Sequence, residues 1–294
     1  MSKKKDAYEP EIDLAAEAVP LTSSFESIFD PLRTGFFWYT PPLASEQNHK
    51  TGGHQWKIVG HDMQVLTMTV PAGEEVVAEV GSFMYMSPFM ETKVELTLCS
   101  RIGFCGGCRR CCGGESCVKL FLRNDSQQEG YVGLTPNFPA KIVPIKFGTH
   151  VKSGTDLIAH PGAYMSDLGN VDVGCDLDCN CATCCCTGLS CCRQKLTGPD
   201  DSIAFLAGGG TIVYRNLHEG ETIIVDNNSI LAYENSVKLG VTPNGRICCS
   251  LTCCCGGEGI CSPTLSGPGR VYLQSFCFQK FAESVHQVVM EDRE

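Results

Sequence analysis

Apolar and polar residues alternate along most of the chain from residue 56 onward, which is the pattern of β-strands rather than helices. Leu66, Met68 and Val70 lie at every second position, and the same period recurs in residues 118–122 and 271–273. Because a strand points alternate side chains to opposite faces, each of these segments predicts one buried face. The pattern as a whole predicts many short strands separated by Gly-rich turns.

Helical spacing is found at the C-terminal end of the chain. Phe281, Val285, Val288 and Val289 recur there at intervals of three or four residues or follow directly. That spacing gives a helix one apolar face. We predict a short helix over residues 279–291 that caps the β domain or contacts another subunit.

One segment pattern occurs three times along the chain. A Gly and a second turn residue stand eight positions apart, with an apolar pair between them, and a cysteine-rich segment follows. The three copies begin at Gly73, Gly154 and Gly220, and the cysteine-rich segments that follow run from Cys99 to Cys117, Cys175 to Cys192 and Cys248 to Cys261. Internal repetition of this kind predicts one pseudo-symmetric domain rather than two unrelated domains.

The repetition sets the expected fold and domain limits. We predict an all-β protein in which three pseudo-symmetric antiparallel β-sheet repeats form a prism or barrel, with the short helix at the C-terminus. The expected limits are a largely disordered tail over 1–52 and a β domain over 53–294, with repeats at about 55–124, 125–200 and 201–278.

The N-terminal tail is rich in proline and small polar residues, and this composition is typical of disorder. A capping pattern predicts one short helix from Leu21 to Phe29. The aromatic cluster Phe36-Phe37-Trp38-Tyr39 stands out in the tail. We interpret it as a group that docks onto the β domain, and the alternative is a binding motif for an unknown protein partner.

Charge and composition restrict the class of protein. The net charge of −10 disfavours a nucleic-acid-binding protein, which needs a basic face to neutralise phosphates. No apolar run approaches the roughly 20 residues of a membrane-spanning helix, and the N-terminus has no secretory signal pattern. We therefore expect a cytoplasmic protein whose 21 cysteines are reduced thiols, metal ligands or acylation sites.

Several motifs resemble those of a known family. They are Gly81–Met86, Gly133–Pro139, Gln194–Pro199, Gly256–Gly259 and Gly267–Gln274. Together they are similar to the altered-inheritance-of-mitochondria (number twenty-four) family over about residues 55–280. The resemblance implies three β-sheet repeats about a pseudo-threefold axis, related to the tryptophan-RNA-binding attenuator fold, and by analogy a mitochondrial location and homo-oligomers. It implies no catalytic residues. Where relatives carry Phe, Leu and Gly, this chain carries Cys.

Threefold repetition predicts that the cysteine-rich segments meet at one end of the domain. Twenty of the 21 cysteines would then share one surface. Cys277, on the last predicted strand, stands apart and is expected to be an ordinary buried residue.

Membrane attachment is the interpretation that we favour for this surface. The runs Cys184-Cys185-Cys186 and Cys253-Cys254-Cys255 resemble multiply S-acylated segments. Arg101, Arg109 and Arg110 would meet anionic head groups beside them. The function predicted on this basis is a non-enzymatic adaptor or scaffold held at a membrane surface.

Metal binding is the alternative, because several cysteines have the Cys-x-x-Cys step that zinc sites use. The candidate ligands, which are alternatively acylation sites, are Cys105, Cys108, Cys111, Cys112, Cys181, Cys184, Cys185, Cys253, Cys254 and Cys255. Zinc is the candidate ion, and Cu(I) is a further candidate because thiolates favour soft metals. A third interpretation is a set of inert or redox-active thiols.

Enzymatic motifs are weak in this sequence. None of the seven histidines forms a metal-protease pattern, and no sequence feature orders a base beside any cysteine. Gly208-Gly209-Gly210 lacks the residues of a phosphate loop, so we interpret residues 204–214 as two short strands around a tight connection. We expect no catalytic and no cofactor-binding residues.

Overall fold

The structure, a computed structural model, describes residues 34–39, 53–96, 116, 118–177, 192–243 and 261–291. These residues form antiparallel β-strands and one α-helix at the C-terminal end. The strands are β1 (Phe37–Trp38), β2 (Trp56–Val59), β3 (Val65–Val70), β4 (Glu75–Glu79), β5 (Phe83–Met86), β6 (Glu91–Leu96), β7 (Val118–Arg123), β8 (Gly130–Leu134), β9 (Lys141–Lys146), β10 (Leu157–Ala159), β11 (Tyr164–Leu168), β12 (Asp172–Leu177), β13 (Cys192–Thr197), β14 (Ile203–Leu217), β15 (Thr222–Ile224), β16 (Ile230–Glu234), β17 (Lys238–Pro243), β18 (Cys261–Ser266) and β19 (Gly269–Phe276), and the helix is α1 (Phe278–Glu291).

The strands form three sheets. The largest has the order β12-β13-β10-β16-β19-β14-β11-β4-β7-β6, with β1 and β9 also paired to β14. A second sheet has the order β2-β3-β8-β5, and a third has the order β15-β18-β17. The all-β class and the C-terminal helix are thus as predicted. Among the described strands no sheet closes into a barrel, and the prism arrangement stays a prediction.

The same strand pairings recur three times along the chain. The pairs β6–β7, β12–β13 and β17–β18 are hairpins with six residue pairs each. The second strand of each hairpin also pairs with β4, β10 or β15. Pairing of β4 with β11 and of β10 with β16 links one set of strands to the next. Among the described strands, the equivalent pairing between β15 and β5 is missing.

Alternating burial in the strands builds the core, as the sequence pattern predicts. Leu66, Met68 and Val70 on β3 are fully buried, while the residues between them are only partly buried. They belong to one apolar cluster in which Trp56 packs edge-to-face on Phe205, with ring centres 5.2 Å apart. Burial of this apolar surface is the main stabilising contribution to the fold.

One long strand replaces the two short strands that we predicted around the glycine triplet. β14 runs without a break from Ile203 to Leu217, and its register to β19 shifts between Gly209 and Ile212. The first half pairs with β9 and the second half with β19. Gly210 has a φ of +67°, a conformation that glycine adopts without steric cost. The glycines therefore bend the strand at a β-bulge rather than end it.

The aromatic cluster of the tail docks on the β domain, which confirms our interpretation. Phe37 and Trp38 pair with β14, and the Phe37 ring stacks on Tyr214 with centres 5.2 Å apart. Arg215 lies over the Phe36 ring and donates a hydrogen bond to the Thr34 carbonyl at 2.7 Å. The helix predicted from Leu21 to Phe29 lies outside the described residues.

The predicted C-terminal helix is present as α1, one residue longer at its start. Its first turn is anchored by rings, because Phe278 stacks on Phe138 and Phe281 contacts Phe276. Beyond that turn, Val285 and Val288 face solvent. In the described part of the chain, no helix is long and apolar enough to cross a bilayer.

Candidate functional site

The three hairpins place the cysteine-rich segments at equivalent positions. Each hairpin has six residue pairs, and its last pair is Leu96 with Val118, Leu177 with Cys192, or Pro243 with Cys261. The segments 97–117, 178–191 and 244–260 connect these ends. Each cysteine-rich segment thus contains the loop that connects the two strands of a hairpin. In all three hairpins this loop follows a ladder of six residue pairs.

The ten candidate metal or acylation cysteines all belong to these connections and lie outside the described residues. They are Cys105, Cys108, Cys111, Cys112, Cys181, Cys184, Cys185, Cys253, Cys254 and Cys255. Their arrangement remains a prediction. Among the residues that the structure does describe, no group of three His, Cys, Asp or Glu side chains is placed to hold a metal ion.

Cys175 and Cys192, at the base of the second connection, form a disulfide. Cys175 faces Gln194 and Cys192 faces Leu177, so the two cysteines are diagonal neighbours on one face of the hairpin. Their Cα atoms are 5.9 Å apart, within the usual range for a disulfide. We expected reduced thiols here; strand register instead brings these two sulfur atoms together.

Exposed apolar side chains lie near the loop ends of two hairpins. Leu177, in the last pair of β12 with β13, is 72% exposed, and Val94 on β6 is 62% exposed. Lower on the second hairpin the charged groups are paired, since Lys195 lies 2.6 Å from Asp156. These hairpin ends therefore present exposed apolar side chains beside charged residue pairs, Glu95 with Lys119 and Asp176 with Arg193.

A cavity at the start of α1 contains a second group of reactive side chains. Its volume is about 170 Å³, and Cys277 and His160 both line it. Burial raises the pKa of the Cys277 thiol, but hydrogen bonds with His160 and with the Lys280 and Gln279 backbone outweigh burial, so the pKa is lowered.

We expected Cys277 to be an ordinary buried residue. It is indeed only 8% exposed, but it lies beside a histidine. The two residues are far apart in sequence and share no local motif. The available signal was that Cys277 lies two residues before the predicted helix, whose first backbone N–H groups are unpaired.

Comparisons with known proteins agree with this fold. The family model described as "Mitochondrial biogenesis AIM24" matches residues 56–276. The crystal structure of a protein from Streptococcus pyogenes is similar at a TM-score of 0.58 and 19% sequence identity, over 80% of this chain and 99% of that one. At this identity the likeness concerns the fold alone. Among curated proteins, none matches this chain.

Proposed function

The chain belongs to the AIM24 family, which is related to mitochondria, and from this premise we propose that it is a non-enzymatic adaptor held at a membrane surface. Its cysteine-rich connections would carry S-acyl chains or face the lipid. The observation that supports this most is the equal register of the three hairpins, each of which opens into a cysteine-rich connection.

The proposal includes a threefold arrangement of the repeats as a prism. Each repeat contributes one hairpin and a strand that pairs with its second arm, and two of the three links between repeats are formed among the described strands. Three such units about one axis would bring the hairpin ends to a common pole. Cysteines from all three connections would then act on one surface.

Acyl chains suit this protein better than charge as a means of attachment. A net charge of −10 repels anionic lipid on average, although Arg101, Arg109 and Arg110 give the first connection a local positive charge. Each buried CH₂ group contributes about 0.8 kcal/mol, and two acyl chains are enough for stable anchoring. Exposed Leu177 and Val94 would add apolar contact beside the chains.

Acyl exchange with hydroxylamine tests this function directly. We expect thioester labelling and membrane sedimentation of the full-length protein, and loss of both when Cys184–Cys186 and Cys253–Cys255 are replaced by Ser. The matched control is Cys277→Ser, which removes a thiol outside the connections. A soluble protein without hydroxylamine-sensitive label would contradict the adaptor proposal.

The alternative function is a protein that binds zinc or Cu(I) through thiolates, or one whose clustered thiols are redox-active. It is supported by the Cys-x-x-Cys steps at Cys105, Cys108 and Cys111 and at Cys181 and Cys184. Elemental analysis of protein purified without chelator distinguishes the two functions. At least one metal ion per chain, lost in a Cys105→Ser and Cys108→Ser variant, would favour the alternative; less than one would count against it.

We also propose that the tail recruits a protein partner and that the molecule works at the cytoplasmic face of a membrane, with mitochondria indicated by the family. The docked residues 34–39 leave the rest of the tail as the binding segment. The test compares the full chain with a chain lacking residues 1–33. Imaging measures the location of each, and affinity purification measures the complexes that each forms. Unchanged location and unchanged complexes after the deletion would contradict a role for the tail.

A further inference from the structure

We propose that Cys277 is a modification site that exchanges with small, uncharged disulfides in the cavity at the start of α1, with His160 as the base. This inference is independent of the adaptor function, because Cys277 lies outside the cysteine-rich connections. It rests on a cavity, a thiol–imidazole pair and the N-terminal end of a 14-residue helix.

The cavity wall is mainly apolar. Phe138, Ala207 and Leu231 contribute to it, and the buried amide of Gln274 is the neighbouring polar group. That amide is already engaged, because its oxygen accepts from Gly209 N at 3.1 Å and its nitrogen donates to Asn228 O at 3.2 Å. The wall therefore suits a ligand group without charge.

The size of the cavity limits what can reach the sulfur. Its volume of about 170 Å³ is close to that of engineered protein cavities that hold one benzene molecule. Cys277 is only 8% exposed, so a reagent must enter this space to touch Sγ. We infer a small R–S group rather than a peptide.

His160 is held in the tautomer that a base requires. Its Nδ1 lies 2.8 Å from the carbonyl oxygen of Pro161, which can only accept a hydrogen bond. Nδ1 therefore carries the proton, and the neutral ring can accept a thiol proton only at Nε2. The His160 backbone is fixed as well, since its N–H donates to Leu231 O at 2.8 Å.

The helix stabilises the thiolate form. Cys277 directly precedes α1, its carbonyl accepts from Phe281 N at 3.1 Å, and the backbone N–H groups of Gln279 and Lys280 bond its sulfur. Thiolates at helix N-termini and beside histidine have a lowered pKa and greater reactivity. The Lys280 side chain lies 3.4 Å from Asp226, so its charge is shared with that carboxylate. The resting thiol has a further acceptor in Asn228 Oδ1 at 3.8 Å.

A disulfide fits this geometry better than a carbonyl substrate. Disulfide exchange needs a thiol and a group that carries its proton, which Cys277 and His160 in one cavity supply, whereas attack on a carbonyl also needs an oxyanion hole. In the exchange, His160 takes the thiol proton, and the Cys277 sulfur attacks one sulfur of R–S–S–R. A new S–S bond forms as the old one breaks, and the leaving R–S⁻ takes the proton from His160, which yields R–SH.

The test measures mixed-disulfide formation at the Cys277 peptide by mass spectrometry, in fully reduced, full-length protein at pH 6.5. The probe is bis(2-hydroxyethyl) disulfide, and oxidised glutathione is the larger, charged comparison. We expect native Cys277 to react severalfold faster with the small probe than Cys277 of the urea-unfolded chain, because its lowered pKa leaves more of the sulfur as thiolate at pH 6.5. Oxidised glutathione should react more slowly than the small probe in the native protein.

Variants then identify the roles of His160 and the cavity. His160→Gln should slow the reaction about tenfold, whereas the control His218→Gln, an exposed histidine, should not change it. Ala207→Leu should fill the cavity and slow the small probe. The proposal fails if native Cys277 reacts no faster than the unfolded chain, a result that does not depend on any variant folding, or if His160→Gln and His218→Gln behave alike.

Discussion

His150 connects the stability of the fold to pH through one partly buried side chain. Its Nδ1 accepts a hydrogen bond from Lys146 N at 3.1 Å, so the neutral ring is the form that fits. Burial, followed by the positive charges of Arg270 and Lys146, lowers its pKa to about 4 from an ordinary 6.5. Below pH 6.5 the unfolded chain therefore binds a proton that the folded chain does not.

We expect this residue to reduce the free energy of unfolding as pH falls. Its contribution is fully present above pH 6.5 and is lost between pH 6.5 and 4, with about 2 kcal/mol lost between pH 7 and pH 5. Urea unfolding at both pH values, compared with His150→Gln, measures the difference. The variant should lose about 2 kcal/mol less than the wild type over this interval; equal losses would show that His150 does not titrate as described.

Residues in local patterns were predictable, and residues brought together by tertiary structure were not. Leu66, Met68 and Val70 could be assigned to a buried face because strand geometry alone fixes the alternation. The pairing of His160 with Cys277 depends on how β16, β19 and α1 pack. No spacing along the chain carries that information.

At the scale of elements, the bend in β14 requires the small size of Gly209. A Cβ atom at this position would lie 2.2 Å from the carbonyl oxygen of Phe276, which is backbone and cannot rotate away. We expect Gly209→Ala to lower the free energy of unfolding by about 1–3 kcal/mol, the usual cost of overpacking. The control is Gly240→Ala, whose Cβ would meet only the movable Thr264 hydroxyl at 2.8 Å. Equal effects in urea unfolding would contradict this account.

The docking of β1 depends on one of two neighbouring aromatic residues. Phe37 stacks on Tyr214, whereas Trp38 is 60% exposed. We expect Phe37→Ala to remove about 1 kcal/mol of local stability, which is about a fivefold faster exchange of the Tyr39 amide. That amide donates to Ile212 O at 2.8 Å, so hydrogen–deuterium exchange reports on it directly. Trp38→Ala should leave the rate unchanged, and similar rates in both variants would refute the role of the stack.

Element types could be predicted from sequence better than their connections. The hairpin arm over residues 118–122 follows from apolar alternation, and α1 follows from its spacing. The continuity of β14 through three glycines could not be predicted, because a bulge and a turn use the same residue type. The disulfide between Cys175 and Cys192 needed the strand register, which a list of cysteines does not contain.

At the scale of the whole molecule, α1 presents an apolar stripe that the described part of the chain leaves exposed. Phe281, Val285 and Val288 are 52%, 45% and 59% exposed. We propose that a second copy covers this stripe, as the family resemblance implied. Val285→Asp should then lower the molecular mass measured by analytical ultracentrifugation, whereas the same change at exposed His286 should not. A wild type that is monomeric at every concentration would contradict this proposal.

Among the described strands, the threefold pattern of pairings has one junction without a pairing, between β15 and β5. Both strands are short, with three and four residues, and each has a strongly exposed apolar side chain, Ile224 and Met84. Short edges discourage other chains from adding as strands. Their outward amides also lack the protection that the filled junctions give. Under mild denaturant, β15 and β5 should therefore unfold locally and become accessible to a protease before the β14 region opens.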